Sequence, residues 1–336
     1  MNAAARHIEQ QIFNVTPSGF EALAVEVFQF QYEHNETYRQ FCQYLHIRPT
    51  DVTQLQQIPF LPIRFFKSKQ VVTTSFSPEA IFESSGTTGQ INSKHLVRFL
   101  SLYEDSFQQT FTHFYGDVQQ YCIIGLLPSY LQKGNASLVY MVQNMIQQSR
   151  HKQSGFYLDD HKQLHDTLMK NETAGIPTIL IGVTYALLDF AEKYPMPLQH
   201  TIIMETGGMK GRRQELTRQE VHQILQRQFS ISEVHSEYGM TELLSQGYSK
   251  GNGMYQTAPW LKILLRAADD PFEITEASPG MTTAAAGAIN VVDLANLYSC
   301  AFLATDDMGK LYPDGSFEVI GRLDNSDIRG CGLMVL

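Results

Sequence analysis

Residues 178–205 read TILIGVTYALLDFAEKYPMPLQHTIIME, and this stretch decides the fold. Its two apolar runs, at 178–183 and 201–205, have the length and composition of buried strands, and residues 184–193 between them have the pattern of a helix. A strand, a helix and a second strand in this order are typical of an α/β fold, in which helices pack over a largely parallel sheet. We therefore expect an α/β protein.

The same alternation continues on both sides of this stretch. Further strands are predicted at 81–83 and 121–127, and further helices at 99–114, 136–148, 161–171 and 214–228. After about residue 246 the pattern changes to short strand-like runs at 260–265, 288–293 and 317–320, joined by turn signals and without a convincing helix. The sequence therefore predicts three parts: an α/β large domain at 1–246, a smaller β-rich subdomain at 247–321, and a tail at 322–336.

Two N-terminal segments have their own signals. Ser18 and Glu21 have the spacing of a capping box at the start of an amphipathic covering helix. Residues 58–68, IPFLPIRFFKS, contain Pro59 and Pro62, which exclude a regular helix interior and favour extended backbone. We interpret this segment as a connector that lies across the domain.

Composition limits the classes of function. The 336 residues include 25 Lys and Arg against 34 Asp and Glu, so the formal net charge is −9, and 18% of the residues are charged. Both values argue against a basic nucleic-acid-binding protein. Apolar residues make up 43% of the chain, which is enough for the cores of about two domains at roughly 150 residues each.

Apolar runs and cysteines indicate the compartment. The longest apolar runs, at 121–128 and 177–183, are less than half of the roughly 20 residues that a membrane helix needs. The start MNAAARHIEQQIF has no apolar core like that of a signal peptide. Four cysteines lie far apart with no C-x-x-C pair, which fits neither a zinc site nor a disulfide scaffold. We expect no membrane span, reduced thiols and a cytoplasmic protein.

The sharpest chemical signal is the segment Ser84-Ser85-Gly86-Thr87-Thr88-Gly89, directly after an apolar run. Glycines let successive backbone N–H groups point at one anion, and hydroxyls add donors without bulk, so such a loop can hold phosphates. It is not a Walker A loop, because Gln90 stands where the lysine belongs. Taken alone, it could equally be an ordinary polar surface loop.

Other segments with chemical potential follow it in order. They are Glu205-Thr206-Gly207-Gly208-Met209-Lys210, Glu237-Tyr238-Gly239-Met240-Thr241-Glu242, Thr305-Asp306-Asp307-Met308-Gly309 and Gly321-Arg322-Leu323-Asp324. Each has a plain structural interpretation as a strand-to-helix turn, a solvated first helical turn or a hairpin loop. Their order and spacing together favour a shared site.

These segments resemble the core motifs of the adenylate-forming enzymes, the superfamily of acyl-CoA synthetases, adenylation domains and firefly luciferase. The likeness to the acyl-protein synthetase family is greatest, through the I-P-F-L-P-I connector, the T-G-G-x-K-G loop and the terminal D-x-R-G-C. It runs from about residue 55 to the end. The resemblance implies the layered α/β large domain of these enzymes and a β-rich subdomain shaped as a distorted barrel. It also implies that residues 322–336 are a hinge remnant and tail.

The resemblance also implies roles in binding ATP. The loop of Ser84, Ser85, Gly86, Thr87, Thr88 and Gly89 would hold the β- and γ-phosphates. Gly207 and Gly208 would lie against the adenine, and Tyr238, next to Gly239, would stack on its other face. Asp307, rather than Asp306, would bind the ribose hydroxyls, and Arg322 would place a cation near the ribose and phosphates.

The implied catalytic residues are Thr241, which would contact the α-phosphate, and Glu242, which would bind Mg²⁺. The mobile C-terminal domain of the superfamily carries a lysine that orients the carboxylate, and this sequence has no counterpart of that domain after Arg322. Lys94, Lys210 and Arg329 are the candidates to replace that lysine. Alternatively, activation is slow or a partner completes the site.

Cys331 is the candidate nucleophile. It stands between two glycines and two residues after Arg329, where its thiolate would be favoured. In acyl-protein synthetases, a cysteine near the C-terminus accepts the acyl group from the adenylate. Cys42, Cys122 and Cys300 lie in apolar surroundings and are expected in the core. No histidine pair has a convincing metal-binding spacing.

The sequence therefore predicts an AMP-forming acid–thiol ligase. It would use ATP and Mg²⁺ to activate a carboxylic acid, expected to be a fatty acid, as an acyl-adenylate, release pyrophosphate, and pass the acyl group to Cys331. An acyl-reductase or acyl-transferase protein, or coenzyme A, would take the acyl group next. Two alternatives stay open: an acyl-CoA or carrier-protein ligase that needs a separate C-terminal domain, and a catalytically weak nucleotide-binding component of an acyl-reductase complex.

Overall fold

A computed structural model describes residues 3–84, 91–128, 134–158, 160–207, 216–278 and 280–323. In chain order, the helices are α1 (Ala3–Ile12), α2 (Phe20–His34), α3 (Glu36–Tyr44), α4 (Phe65–Ser68), α5 (Leu100–Tyr115), α6 (Ser137–Ser149), α7 (His161–Ala174), α8 (Thr184–Lys193) and α9 (Arg218–Phe229). Short 3₁₀ turns lie at Pro49–Asp51, Leu55–Gln57, Val118–Gln120 and Leu294–Asn296.

The strands are β1 (Leu61–Pro62), β2 (Ala80–Glu83), β3 (Lys94–Val97), β4 (Cys122–Leu126), β5 (Gly155–Phe156), β6 (Thr178–Val183), β7 (Thr201–Thr206), β8 (His235–Tyr238), β9 (Gly247–Ser249), β10 (Tyr255–Thr257), β11 (Leu261–Arg266), β12 (Ile274–Thr275), β13 (Ala285–Asp293), β14 (Phe302–Leu311) and β15 (Phe317–Arg322). All but β2 and β3 belong to one sheet, and those two form a separate antiparallel hairpin.

One half of the large sheet is parallel, in the order β5-β4-β6-β7-β8. Every residue of β4 and β6 is buried, on both faces of the sheet. Helices on both faces produce this burial, because parallel strands are joined by crossover helices. The continuous apolar runs of these strands are therefore explained by their position in the middle of the core.

The other half of the sheet is antiparallel. β9 pairs antiparallel with β8, and the order continues through β10, β15, β14, β13, β11 and β12. β14 has a divided edge: residues 303–304 pair with β1, and residues 307–311 pair with β15. The sheet thus runs without a break across the predicted boundary at residue 246, and the three-part division stays a prediction.

The predicted α/β architecture is confirmed, with the parallel strands and their intervening helices in the expected order. The end of the chain that the structure describes is rich in strands, as expected. The helix predicted from residue 214 begins at Arg218, because Thr217 and Glu220 form a capping box there. Cys42, Cys122 and Cys300 are buried with free thiols, as predicted for core residues.

The capping box predicted at Ser18 is wrong. The N-cap of α2 is Gly19, and no side chain caps this end. The Glu21 carboxylate accepts the backbone N–H of Leu55 at 2.9 Å instead. A contact with a segment distant in sequence therefore outweighs the local signal.

The connector at 58–68 ends in a helical turn. Leu61 and Pro62 pair parallel with Leu303 and Ala304 of β14, and α4 then forms a single turn. In the part of the chain that the structure describes, no helix has both the length and the apolar character needed to cross a bilayer.

Candidate active site

The predicted adenine and ribose residues meet at the junction of the two half-sheets. β7 and β8 are parallel neighbours with Thr206 opposite Glu237, so Gly207 and Tyr238 follow side by side. The Tyr238 hydroxyl donates to Asp307 Oδ2 at 2.9 Å. Asp307 Oδ1 lies 3.3 Å from Arg322 Nε, directly across the β14–β15 ladder. The structure thus brings together residues predicted to share one site.

Strand alternation decides between the two aspartates at this edge. Asp307 is buried and faces Tyr238, whereas Asp306 points the other way and forms an ion pair with Arg64 at 3.1 Å. Adjacent residues of a strand face opposite sides of a sheet, so only one can face the site. The geometry agrees with the choice of Asp307.

The hairpin of β2 and β3 carries the predicted phosphate loop. At its base, Ser93 N–H donates to Ser84 Oγ at 2.9 Å and Ser84 N–H donates to Ser93 O at 3.1 Å. Lys94 lies opposite Glu83, with its Nζ 3.5 Å from the carboxylate. The Lys94 ammonium thus has a carboxylate partner at the base of the loop, and its predicted catalytic role stays a prediction.

His95, which the sequence analysis left without a role, supports the segment that holds Thr241 and Glu242. Its Nδ1 lies 2.8 Å from the Thr241 carbonyl oxygen. Burial lowers the pKa of His95 to about 4, so the ring is neutral and Nδ1–H is the donor. The edge of the Phe66 ring packs against the imidazole at a centroid distance of 5.8 Å.

Two buried residues of the antiparallel half support the same segment. Asn296 Nδ2 donates to the Glu242 carbonyl at 2.7 Å. Asp293 accepts hydrogen bonds from Leu244 N–H, Ser245 N–H and the Ser245 hydroxyl, at 2.6–3.0 Å. Because the 239–246 loop has no regular secondary structure, these side chains satisfy backbone groups that a helix or sheet would otherwise satisfy.

The Glu242 carboxyl is buried, and burial raises its pKa. A hydrogen bond from Ser93 and the positive charges of Arg322 and Lys67 act in the opposite direction. Among the described residues, Glu242 has no ion pair. Burial outweighs these effects, so a cation bound at this carboxyl group would favour its ionised form.

Two further glutamates lie under the site at the ends of β7 and β8. Burial raises the pKa of Glu237 to about 7, partly opposed by the hydroxyl of Thr206, which donates to its carboxylate. A Cβ on Gly239 would lie 2.4 Å from Glu237 Oε1, so a side chain at this position would displace the Glu237 carboxyl group.

Glu205 has the opposite electrostatic balance. Burial favours a higher pKa, but His222, Arg218 and Thr184 outweigh it, and the pKa of Glu205 is lowered. The Thr184 hydroxyl lies 2.9 Å from Glu205 Oε2 and 3.0 Å from the Gly207 carbonyl. An ionised Glu205 therefore lies next to a Glu237 that titrates near neutral pH.

Several predicted site residues lie outside the described residues. They are Ser85, Gly86, Thr87, Thr88, Gly89, Gly208, Lys210, Arg329 and Cys331. Within the described ranges, no group of three or more His, Cys, Asp or Glu side chains could hold a metal ion. A metal ion at Glu242 would therefore need ligands from elsewhere, such as phosphate oxygens and water.

Comparison with protein families identifies the chain. The family described as "Acyl-protein synthetase, LuxE" matches residues 18–336. The chain belongs to the acyl-protein synthetase family. It is therefore a ligase that activates a carboxylic acid as an acyl-adenylate and transfers the acyl group to a thiol.

Two curated relatives are similar in sequence over almost the full length of this chain. The long-chain-fatty-acid–luciferin-component ligase of Vibrio harveyi is 23% identical over 98% of this chain and 93% of its own. The ligase of the same name from Aliivibrio fischeri is 25% identical over the same shares.

A solved structure is also similar. The O-succinylbenzoate coenzyme A synthetase of Bacillus subtilis, in complex with ATP and magnesium ion, is 17% identical, with a TM-score of 0.49. The alignment covers 72% of this chain and 49% of that one, so this chain spans about half the length of that synthetase.

Proposed function

We propose that this enzyme joins a fatty acid to the α-phosphate of ATP at the junction of the two half-sheets and then moves the acyl group to Cys331. The observation that carries the proposal is the Tyr238–Asp307–Arg322 array, which lies beside Gly207 and the loop of Glu242. The two curated relatives are long-chain-fatty-acid–luciferin-component ligases, which supports a fatty acid as the substrate.

ATP fits the residues at this junction. Asp307 presents a buried carboxylate that can accept hydrogen bonds from two ribose hydroxyls, and Tyr238 adds a half-buried aromatic ring beside Gly207 for the base. The Arg322 side chain is 82% exposed, so its guanidinium can reach a phosphate while its Nε stays near Asp307.

Mg²⁺ fits Glu242. Magnesium is usually held by one or two carboxylates together with phosphate oxygens and waters rather than by a cage of protein ligands. Glu242 supplies one buried carboxylate without an ion pair among the described residues. When bound, Mg²⁺ offsets the negative charge that develops on the departing pyrophosphate.

The second step requires a thiolate. Cys331 Sγ would attack the acyl carbon, forming a C–S bond as the bond from that carbon to the phosphate oxygen breaks. AMP leaves with the electron pair, and the thiol proton is lost before the attack. An acyl-reductase or acyl-transferase protein is the proposed recipient of the resulting thioester.

Acid-dependent exchange between ATP and labelled pyrophosphate tests the first step. The full-length protein should catalyse exchange with long-chain fatty acids and Mg²⁺. No exchange across a panel of fatty and aromatic acids would contradict the proposal.

Covalent labelling tests the second step. After incubation with ATP and labelled fatty acid, the protein should carry label that hydroxylamine removes. Cys331→Ser should keep exchange and lose this label, and Cys42→Ser, which changes a buried cysteine, is the control. Label retained in Cys331→Ser would exclude Cys331 as the acceptor.

A further inference from the structure

The short helix α4 is held against three parts of the candidate site. Before it, Ile63 N–H donates to Ala304 O at 2.9 Å, which extends the pairing of β1 with β14. Within it, Phe66 is buried against His95, the residue that bonds the Thr241 carbonyl. At its start, Arg64 forms an ion pair with Asp306, next to Asp307. This turn therefore has a fixed position beside the site.

Lys67 extends from this turn and acts on the site electrostatically. Its side chain is exposed, and its charge is one of those that stabilise the Glu242 carboxylate against the effect of burial. Among the described residues, Lys67 has no hydrogen bond or ion pair through its ammonium. A cation on a fixed backbone that has no partner in the described part of the chain is available to an anionic ligand.

The neighbouring cations do not share this property. Arg64 is paired with Asp306, Lys94 with Glu83 and Arg322 with Asp307, each at 3.1–3.5 Å. Each of these pairs would have to be shared or broken to bind a new anion. Among the described residues, Lys67 has no such pair to break.

We infer that Lys67 is a catalytic residue of acid activation, whose ammonium contacts the oxygens of the α-phosphate and of the attacking carboxylate. The inference rests on the proposed function. The positive charge that brings the α-phosphate and the attacking carboxylate together near Glu242 would therefore come from α4. Lys67 takes this role in place of Lys94, whose ammonium is paired with Glu83, whereas Lys210 and Arg329 lie outside the described residues.

The positive charge of Lys67 suits the formation of the acyl-adenylate, in which two anions react. A carboxylate oxygen forms a bond to the α-phosphorus, the bond from that phosphorus to the bridging oxygen breaks, and pyrophosphate leaves with the electron pair. No proton is transferred. The barrier comes largely from the approach of two anions, so a fixed ammonium lowers it by electrostatic stabilisation.

Lys69 offers a matched control. It is exposed like Lys67 and directly follows the connector, where its N–H closes α4 on the Phe65 carbonyl at 2.8 Å. Lys69 is the C-cap residue of α4 and has extended backbone, so it stands just outside the helical turn that carries Lys67. Lys69→Met therefore removes the same charge from outside that turn.

The experiment compares Lys67→Met, Lys67→Arg and Lys69→Met in full-length protein. For Lys67→Met, kcat of acid-dependent ATP–pyrophosphate exchange should fall about 10²-fold, with KM for ATP changed less than about threefold. Lys67→Arg should restore part of kcat, and Lys69→Met should equal the wild type. Transfer of the acyl group from synthetic fatty acyl-adenylate to the protein should be unchanged in all three.

Exchange by Lys67→Met within about threefold of the wild type would overturn the inference and leave the proposed function in place. An equal loss in Lys69→Met, or loss of both exchange and acyl transfer in Lys67→Met, would also overturn it, since either result indicates a general or structural effect. Absence of exchange in the wild type would instead overturn the proposed function on which the inference rests.

Discussion

The two halves of the sheet contribute to the candidate site in different ways. The parallel half provides loops that follow its strands: Gly207 after β7, and the segment to Glu242 after β8. The antiparallel half provides side chains from within strands, with Asp307 and Arg322 opposite each other in the β14–β15 ladder. The ladder positions the strand residues, whereas the loop needs support from residues distant in sequence.

That support comes mostly from the other half. Asp293 lies at the end of β13 and Asn296 in the 3₁₀ turn after it, and both form hydrogen bonds with the loop that follows β8. His95, in the β2–β3 hairpin, forms a third such hydrogen bond. The antiparallel half therefore both contributes residues predicted to bind ATP and shapes the loop of the parallel half. Substitutions in the loop should therefore lower kcat, those in its supports should lower stability, and those in the ladder should weaken ATP binding.

The largest effect is expected in the loop. Glu242→Gln keeps the shape of the side chain and removes its charge, so Mg²⁺ loses a carboxylate ligand. We expect kcat of acid-dependent exchange to fall about 10³-fold, or about 4 kcal/mol. Glu273→Gln, which changes an exposed glutamate, should have no effect. If the two variants behave alike, Glu242 has no part in catalysis.

Removal of a support should affect stability first. Both Asp293 oxygens accept hydrogen bonds, from Leu244 and Ser245 N–H on one oxygen and from the Ser245 hydroxyl and Ala295 N–H on the other. Asp293→Asn turns an NH₂ group towards two of these donors. We expect the free energy of unfolding to fall by roughly 3–4 kcal/mol, as measured by urea denaturation.

Asp269→Asn, in an exposed position, is the control for that measurement. If Asp293→Asn unfolds at the same urea concentration as Asp269→Asn, the Asp293 hydrogen bonds do not stabilise the loop. The loop would then not depend on residues distant in sequence, contrary to the comparison above.

The same contrast explains what the sequence could predict. β4, β6 and β7 were predicted because their runs of apolar residues reflect burial on both faces, which is a local property. Tyr238, Thr241 and Glu242 were proposed as site residues because they form one short segment, and their roles stay predictions. Asp307 was preferred to Asp306 by alignment with a motif, and strand alternation supports that choice.

The supports could not be predicted, because they depend on pairing across long sequence separations. His95 and Thr241 are 146 residues apart, and Asp293 and Leu244 are 49 apart. One signal was available: Asp293 is a charged residue at the end of the apolar run from Ala288, where a buried carboxylate needs partners. Its partners only become visible once β13 is placed in the sheet.

The buried carboxyl group of Glu237, at the end of β8, makes the stability of the fold depend on pH. Burial raises its pKa from 4.5 to about 7. Between these values the folded state holds a proton that the unfolded state has lost, so stability falls as the pH rises through this interval and stays lower above it. Glutamine cannot ionise, so Glu237→Gln should lack this loss.

We therefore expect the stability of Glu237→Gln relative to the wild type to increase by about 3 kcal/mol between pH 4.5 and pH 8. Urea denaturation at a series of pH values measures this difference. Glu273→Gln should run parallel to the wild type over the same range. A constant difference between Glu237→Gln and the wild type would show that folding does not raise the pKa of Glu237.

The smallest effect is expected in the ladder, and it should appear in binding. Asp307→Asn keeps an oxygen that accepts from Tyr238 or from the ribose, but it loses the charge that holds Arg322. We expect KM for ATP to rise about tenfold, or about 1.4 kcal/mol, with kcat within about threefold of the wild type, because the ribose is remote from the reacting phosphorus. Asp306→Asn, one residue away on the opposite face, should leave KM for ATP unchanged. If Asp306→Asn raised KM as much as Asp307→Asn, strand alternation would not select the ribose carboxylate. If Asp307→Asn lowered kcat as Glu242→Gln does, the division of labour between a catalytic loop and a binding ladder would be wrong.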